Sequence, residues 1–131
     1  MAKRILLIDD DQEEADIFRG AVMEADHTAI FHYASGCVEA LKLITEKLLP
    51  VPALIFLDIN MPEINGLDCL KVLKKAELLK HIPVIIYSTS ASPVDIIQAL
   101  DLGALAYWTK PNKYLDLLIK IKDLTHSALF T

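Results

Sequence analysis

Short apolar segments alternate with amphipathic segments along the whole chain. Runs of apolar, often β-branched residues bounded by turn residues predict five strands, at Arg4–Ile8, Ala29–Tyr33, Ala53–Leu57, Val84–Ser88 and Ala106–Trp108. Several of these runs are almost continuously apolar, which is typical of strands covered on both faces. We therefore expect a buried parallel sheet.

An amphipathic segment follows each predicted strand. Apolar residues recur there at helical spacing, and the positions expected to face the core are Ala15, Phe18, Val22 and Ala25; Val38, Leu41, Ile44 or Thr45, and Leu48; Leu67, Leu70 and Leu73; Ile97 and Leu100; and Leu115, Leu118, Ile121 and Leu124. Ser92 and Pro93 predict the start of the fourth helix, and Gly103 its end. Five strand–helix units predict an α/β fold with right-handed crossovers and helices on both faces of the sheet.

Length and composition narrow the class of protein. The chain has 131 residues, so we expect a single domain over 1–131, with a core at 3–125, a short tail at 126–131 and no output domain. The net charge is −5 and the 13 basic residues are scattered, which argues against direct nucleic-acid binding. No apolar run is long enough for a signal peptide or a membrane span, so we expect a cytoplasmic protein.

The two cysteines and the four histidines show no metal-binding pattern. Cys37 and Cys69 match no metal or redox spacing, and we expect them to be reduced and buried as small apolar residues. The histidines are dispersed along the chain, which makes a histidine metal site improbable.

Polar groups follow four of the five predicted strands. They are Asp9, Asp10 and Asp11 after the first strand, Asp58 and Asn60 after the third, Ser88 to Ser90 at the end of the fourth, and Lys110 after the fifth. Each has an ordinary interpretation as a cap, a polar loop or a surface charge, and Asp11 is expected only to cap the first helix. Because parallel strands present their carboxyl ends at one edge, we expect the others to form a site.

The residue types at this edge favour one chemistry. Carboxylates at close range repel one another and raise each other's pKa unless a cation is present. Hard oxygen ligands without His or Cys favour Mg²⁺. A carboxylate nucleophile, a metal, a lysine and a hydroxyl are sufficient for phosphoryl transfer onto the protein.

Four motifs carry a family resemblance: LLIDDD, IFLDINMPEINGL, PVIIYSTSA and GALAYWTKP. In order and approximate spacing they resemble the receiver domain of two-component response regulators, in its stand-alone, chemotaxis-regulator-like form. The resemblance implies a flavodoxin-like (βα)5 fold, in which a doubly wound five-stranded parallel sheet has the strand order 2-1-3-4-5.

The resemblance also implies roles for individual residues. Asp58 would be the phosphoacceptor and a Mg²⁺ ligand, together with Asp10 directly, Asp9 through a water, and the backbone carbonyl of Asn60. Ser88 and Lys110 would contact the phosphoryl group. Tyr107 would follow the movement of Ser88, and Lys110–Pro111 would be a cis peptide.

A signalling switch, and not an enzyme, is the function that the resemblance implies. The phosphoryl group would come from a sensor histidine kinase or a histidine phosphotransfer protein. The surface of helix four, strand five and helix five would then change for a downstream protein target. We expect a monomer or weak homodimer that neither contacts nucleic acid directly nor inserts into a membrane.

Three alternatives compete with the switch. A phosphatase of the haloacid dehalogenase type uses similar groups, but there the nucleophile precedes the acidic pair, and a second Asp stands where this chain has Asn60. A flavin-binding protein lacks support, since no Ser/Thr/Gly-rich loop follows strand one. An unphosphorylated adaptor with a receiver fold remains open.

Several residues have undecided roles in the sequence. Thr89 stands where the family usually has Ala or Gly, and we hypothesise that it slows entry to the phosphoryl pocket. Ile96 either marks a partner surface or packs against strand five, and Trp108 is expected to pack under a helix. Leu129 and Phe130 either dock onto the body or a second subunit, or are disordered.

Overall fold

The computed structural model describes residues 2–130, in which strands and helices alternate as predicted. The elements are β1 (Arg4–Ile8), α1 (Gln12–Ala25), β2 (Ile30–Ala34), α2 (Cys37–Thr45), β3 (Leu54–Leu57), α3 (Gly66–Lys75), β4 (Val84–Ser88), α4 (Pro93–Asp101), β5 (Ala106–Thr109), α5 (Tyr114–Thr125) and the short 3-10 helix η1 (Ala128–Phe130). The predicted second and third strands began one residue early, and the predicted second and fifth strands ended one residue early. No helix within residues 2–130 has the length and apolar character needed to cross a bilayer.

All five strands run parallel in one sheet of order β2-β1-β3-β4-β5, which confirms the predicted flavodoxin-like fold. Strand β1, the second in the sheet, aligns Leu6 with His32 of β2 on one side and with Ile55 of the central strand β3 on the other. Every carboxyl end therefore reaches the same edge, with β1 and β3 side by side at its centre.

Two apolar layers cover the sheet because successive strand residues point to opposite faces. Helices α1 and α5 pack on one face, where Phe18 contacts the rings of Phe56 and Tyr87 at centroid distances of 4.8 and 5.2 Å. Helices α2, α3 and α4 pack on the other face, against Leu6 and Ile55 among others. Trp108 packs on Phe56 with ring centroids 5.1 Å apart, which confirms that it packs beneath a helix, α5.

The predicted core faces of α1 and α3 are confirmed, but that of α2 is wrong in part. In α1 all four predicted positions are buried, and in α3 Leu70 and Leu73 are buried with Leu67 partly covered. Val38 in α2 and Leu48, which lies just after the helix, are exposed. The buried residues of α2 are Cys37, Ala40 and Ile44. The helix therefore presents a face with a smaller side chain to the sheet.

The predicted faces of α4 and α5 also need correction. Ile97 and Leu100 are 58% and 46% exposed, while Ala99 is the buried residue of α4 and Ile96 is half-buried. In α5 Leu115 is exposed, and Leu117 and Ile121 are buried. The alanine side allows α4 to approach the sheet closely, because a small side chain leaves the least space between helix and strand.

The expectation of reduced cysteines is wrong in this structure. Cys37 and Cys69 are buried as expected, but their Sγ atoms are joined in a disulfide, with the two Cα atoms 5.7 Å apart. The pairing could not be read from spacing, since the residues are separated by 32 positions and meet only because α2 and α3 pack on the same face of the sheet.

The predicted helix ends are confirmed where they were specified. Asp11 caps α1 by accepting hydrogen bonds from the amides of Glu13 and Glu14 at 3.0 and 3.3 Å. Helix α4 begins at Pro93 and ends before Gly103, whose φ of 104° is one that glycine adopts readily. In η1, Phe130 packs against the core layer of α1 and α5, so the tail docks onto the body.

Candidate functional site at the carboxyl edge of the sheet

The predicted site residues meet at the carboxyl edge because strand hydrogen bonding continues to the strand ends. The Asp9 amide donates to the Ala34 carbonyl at 3.1 Å, and the Asp58 amide donates to the Ile8 carbonyl at 3.0 Å. The Lys110 amide donates to the Ser88 carbonyl at 2.7 Å. These backbone contacts hold the ends of β1, β3, β4 and β5 in register, and their polar side chains converge.

Three carboxylates form the acidic part of the site. One oxygen each from Asp9, Asp10 and Asp58 lies within 4.8 Å of the others. Asp9 is fully buried, Asp58 is 5% exposed and Asp10 is exposed. A cluster of hard oxygen donors of this size, open on one side, could hold a divalent cation.

Burial governs the protonation of the two enclosed carboxylates. It raises the pKa of Asp58 to about 6; the ammonium of Lys110 counteracts the rise, and the charge of Asp9 adds to it. Burial likewise raises the pKa of Asp9, against the opposing effects of the Asp11 amide, which donates to Asp9 Oδ1 at 2.9 Å, and of Lys110. Without a bound cation, Asp9 and Asp58 therefore hold a proton more readily than two exposed aspartates would.

Lys110 is the positive group of the site. Its Nζ lies 3.1 Å from Asp9 Oδ2, 2.8 Å from Glu14 Oε2 and 3.8 Å from Asp58 Oδ2. Burial alone lowers the pKa of this lysine, but the three carboxylates outweigh that effect and raise it above its ordinary value. The ammonium is thus held charged beside the predicted phosphoacceptor.

Two further residues of the site were missed in the sequence. Glu14 reaches Lys110 from the first turn of α1, and the ring of Tyr87 lies beneath Lys110 with its centroid 5.4 Å from Nζ. Burial raises the pKa of Tyr87 to about 12, so its hydroxyl stays neutral. The sequence did contain a signal for Glu14, because it lies three residues after the capping Asp11. That spacing places its carboxylate at the end of α1 that faces the site.

The hydroxyl side of the site lies on β4 and the loop after it. Ser88 is fully buried, and its Oγ accepts a hydrogen bond from the Ser90 amide at 3.2 Å. Tyr107, which is half-buried, donates its hydroxyl to the Ser90 carbonyl at 2.7 Å. Ser88 and Tyr107 are thus linked through Ser90. Thr89, between Ser88 and Ser90 in the chain, is exposed, and its hypothesised effect on entry to the phosphoryl pocket stays a prediction.

The loop between β3 and α3 carries Asn60. The Asn60 amide lies 3.4 Å from Asp58 Oδ1 and donates to it, while the Asn60 residue is exposed. The predicted cis peptide at Lys110–Pro111 is wrong in this structure, because no described peptide bond is cis. An X–Pro bond prefers the trans form, and Lys110 reaches its three carboxylates from it.

Comparison with known proteins assigns the chain to a family. The chain matches the response regulator receiver domain family over residues 5–122. It is similar to the polar-differentiation response regulator DivK of Brucella ovis, with 36% identity over 111 residues that cover 85% of this chain and 86% of DivK. It is also 30% identical to the response regulator PleD of Caulobacter vibrioides over 129 residues, 98% of this chain. The chain spans only 27% of the length of PleD.

Solved structures with the same fold include two response regulators that are directly informative. The phosphorylated cyanobacterial phytochrome response regulator RcpA superposes with a TM-score of 0.86 at 26% identity, covering 95% of this chain and 92% of RcpA. The Mn²⁺-bound form of the response regulator Rcp1 superposes with a TM-score of 0.77 at 27% identity, covering 98% of this chain and 96% of Rcp1.

Proposed function

The chain belongs to the response regulator receiver domain family, and on that premise we propose that it accepts a phosphoryl group on Asp58 and acts as a signalling switch. The observation that carries the proposal is the position of Lys110. Its ammonium contacts Asp9 and Asp58 at the edge where Asp10 is open to solvent. A buried nucleophile, a fixed cation and an acidic cluster that opens to solvent at Asp10 are the parts that phosphoryl transfer needs.

In the proposed reaction a carboxylate oxygen of Asp58 forms a bond to phosphorus. The bond between phosphorus and the donor's histidine nitrogen breaks, and that nitrogen keeps the electron pair. Lys110 lies 3.8 Å from Asp58 Oδ2 and is placed to pair with the transferred oxygens. Ser88, buried on the neighbouring strand, would donate its hydroxyl to one of them.

The acidic cluster fits Mg²⁺, since its donors are carboxylate oxygens. We propose that Asp10 and Asp58 bind the ion directly, with the Asn60 carbonyl, and that Asp9 acts through a water. Both oxygens of Asp9 already accept hydrogen bonds, from Lys110 and from the Asp11 amide, which favours an indirect role. When bound, the ion would offset the negative charge of the incoming phosphoryl group.

The proposed output is a change in the surface formed by α4, β5 and α5. Phosphorylation adds about −1.5 to −2 charges beside Ser88. Movement of Ser88 would disturb the loop contact that holds the Tyr107 hydroxyl. This surface carries exposed apolar side chains that could contact a partner protein, namely Val94, Ile97, Leu100, Leu105, Leu115 and Ile119.

The partners follow from the same proposal. The donor is a sensor histidine kinase or a histidine phosphotransfer protein, and the receiver of the signal is a downstream protein. The protein would act in the cytoplasm, as a monomer or weak homodimer, and without direct contact to nucleic acid. Its chemistry would be limited to its own phosphorylation and dephosphorylation.

Incubation with a small acyl phosphate and Mg²⁺ tests the function. We expect a stoichiometric mass increase that is labile in base and maps to Asp58, and we expect none in Asp58→Asn. Continuous release of phosphate over many turnovers would instead support a phosphatase. A folded protein without any adduct would support an adaptor that keeps only the receiver fold.

A further inference from the structure

The disulfide between Cys37 and Cys69 joins α2 to α3, the helix that follows the loop after the proposed phosphorylation site, Asp58. Cys37 is the first residue of α2, and Cys69 lies in the first turn of α3. Their Cα separation of 5.7 Å is one that disulfides commonly have. They are the two cysteines of the sequence, so this pairing is the one intramolecular disulfide that the chain can form.

The two helices that the disulfide joins are each connected to the strand ends that carry the acidic cluster. Just before α2, the Ala34 carbonyl accepts the hydrogen bond of the Asp9 amide. One turn before Cys69, the Gly66 amide donates to the Ile59 carbonyl at 2.8 Å. The cross-link therefore ties the end of the loop of residues 58–65 to the segment after β2, whose Ala34 accepts the Asp9 hydrogen bond.

The core accommodates the cysteines without needing the bond. Both lie in the apolar layer of α2, α3 and α4, with exposures of 3% for Cys37 and 0% for Cys69. Reduced cysteines pack as small apolar residues, so the same core accepts two thiols. A chain of 131 residues also buries enough apolar surface to fold without a covalent staple.

A cavity that opens to solvent reaches one of the two cysteines. Cys37 lies on the wall of a cavity of about 510 Å³ between the start of α2 and the β3–α3 loop. The exposed residues Val38, Pro62 and Glu63 line the same cavity. A small thiol or disulfide can thus approach Cys37, whereas Cys69 lies deeper.

We propose that Cys37 and Cys69 form a reversible thiol–disulfide switch that restrains the loop of residues 58–65. In the oxidising direction, the Cys37 thiolate attacks a low-molecular-weight disulfide, forms a mixed disulfide and releases one thiol. The Cys69 thiolate then attacks Cys37 Sγ and releases the second thiol. Two protein thiols and one small disulfide give one protein disulfide and two small thiols, and excess small thiol reverses both steps.

The consequence for signalling rests on the proposed function. The β3–α3 loop carries Asn60 and lies beside Asp58, so it must adjust when a phosphoryl group enters. The cross-link closes a ring of residues 37–69 that contains β3 and this whole loop. The oxidised protein should therefore have a less mobile loop and accept the phosphoryl group more slowly.

Redox buffers of reduced and oxidised glutathione test the switch without any phosphodonor. Thiol alkylation and mass spectrometry should show full and reversible conversion between a reduced protein with two free thiols and an oxidised protein with no free thiol. Hydrogen exchange of residues 58–65 should be about tenfold slower in the oxidised protein, with exchange of the β4–α4 loop unchanged. A disulfide that resists excess reduced glutathione in the folded protein, or equal exchange in the two forms, would overturn the proposal.

The variants Cys37→Ala and Cys69→Ala are the matched controls. In either variant the redox buffer should leave loop exchange unchanged, and a response to the buffer in both would overturn the proposal. Acyl phosphate labelling of the two wild-type forms is the last arm, where we expect about threefold slower labelling after oxidation. Equal labelling rates would overturn the regulatory role, whereas absence of labelling in both forms would overturn only the proposed function.

Discussion

Gly66 lies where the start of α3 touches the backbone at the end of β3, at the proposed phosphoacceptor Asp58. A Cβ built on Gly66 would lie 2.6 Å from Ile59 Cα and 2.8 Å from the Asp58 carbonyl carbon, and closer still to the Asp58 carbonyl oxygen. Carbon atoms at rest lie about 3.5–4.0 Å apart, so the overlap is about 1 Å against backbone that no rotamer change can move. Gly66→Ala should therefore destabilise the fold by about 1–3 kcal/mol or more.

Gly20 provides a matched control in the same chain. It lies on the exposed side of α1, where an added Cβ would meet no atom within 4 Å. Gly20→Ala should stabilise the protein by about 0.5–1 kcal/mol, because alanine loses less backbone freedom on entering a helix.

Urea unfolding followed by circular dichroism measures both changes on one scale. The two variants should shift the free energy of unfolding in opposite directions, and only Gly66→Ala should slow labelling of Asp58, whose backbone it displaces. A Gly66→Ala variant as stable as wild type would refute the steric argument. A Gly66→Ala variant with lower stability but normal labelling would show that the helix start and the Asp58 backbone move independently.

Four further substitutions test separate parts of the structure. Asp26 accepts hydrogen bonds from Lys3 and Thr28, which hold its pKa well below the ordinary range; Asp26→Asn should cost about 1–3 kcal/mol in urea unfolding at pH 7. The pKa of Asp26 is depressed in the folded state, so the stabilisation by its carboxylate is fully present above the unfolded pKa of about 3.9 and is lost as pH falls from there through the folded-state pKa. A stability difference between wild type and Asp26→Asn that is as large at pH 2 as at pH 7 would contradict this role of the carboxylate. Asp11→Ala should lower the free energy of unfolding by about 0.5–2 kcal/mol and leave labelling of Asp58 intact. Asp10→Ala should abolish Mg²⁺-dependent labelling. If both variants behave alike in these two assays, the separate roles of Asp10 and Asp11 are disproved. Phe18→Ala should cost about 3–5 kcal/mol in urea unfolding, since the ring is fully buried, and a cost below 1 kcal/mol would contradict its place in the core.

The strands were predictable from sequence, whereas the buried faces of several helices were not. A continuous run such as Ile5 to Ile8 has one interpretation, since four adjacent apolar side chains require cover on both faces. Helix α4 offers more apolar positions than the sheet can cover, and periodicity gives Ile97 the same weight as Ala99. Close packing decides between them in favour of the small side chain, and that information lies in the distance between helix and sheet.

The position of the site could be predicted from the order of polar residues along the chain, but some of the side-chain contacts in and near it could not. Parallel strands bring Asp9, Asp58 and Lys110 to one edge whatever the loops do. The ion pair of Lys110 with Glu14 depends on the angle at which α1 leaves β1. The bond between Cys37 and Cys69 depends on two helices packing side by side, which no local spacing records.

The distribution of charge explains why a lysine alone would not complete the site. Three carboxylates surround the Lys110 ammonium, which is closest to Glu14 and Asp9, at 2.8 and 3.1 Å, with Asp58 farther away at 3.8 Å. The positive charge is thus already balanced by two carboxylates that are not proposed as nucleophiles. A phosphoryl group adds negative charge beside Asp58, where Asp10 is also negative and exposed to solvent. We therefore expect the remaining compensation to come from a cation at the open side of the cluster, so removal of divalent cations should prevent labelling even with Lys110 in place.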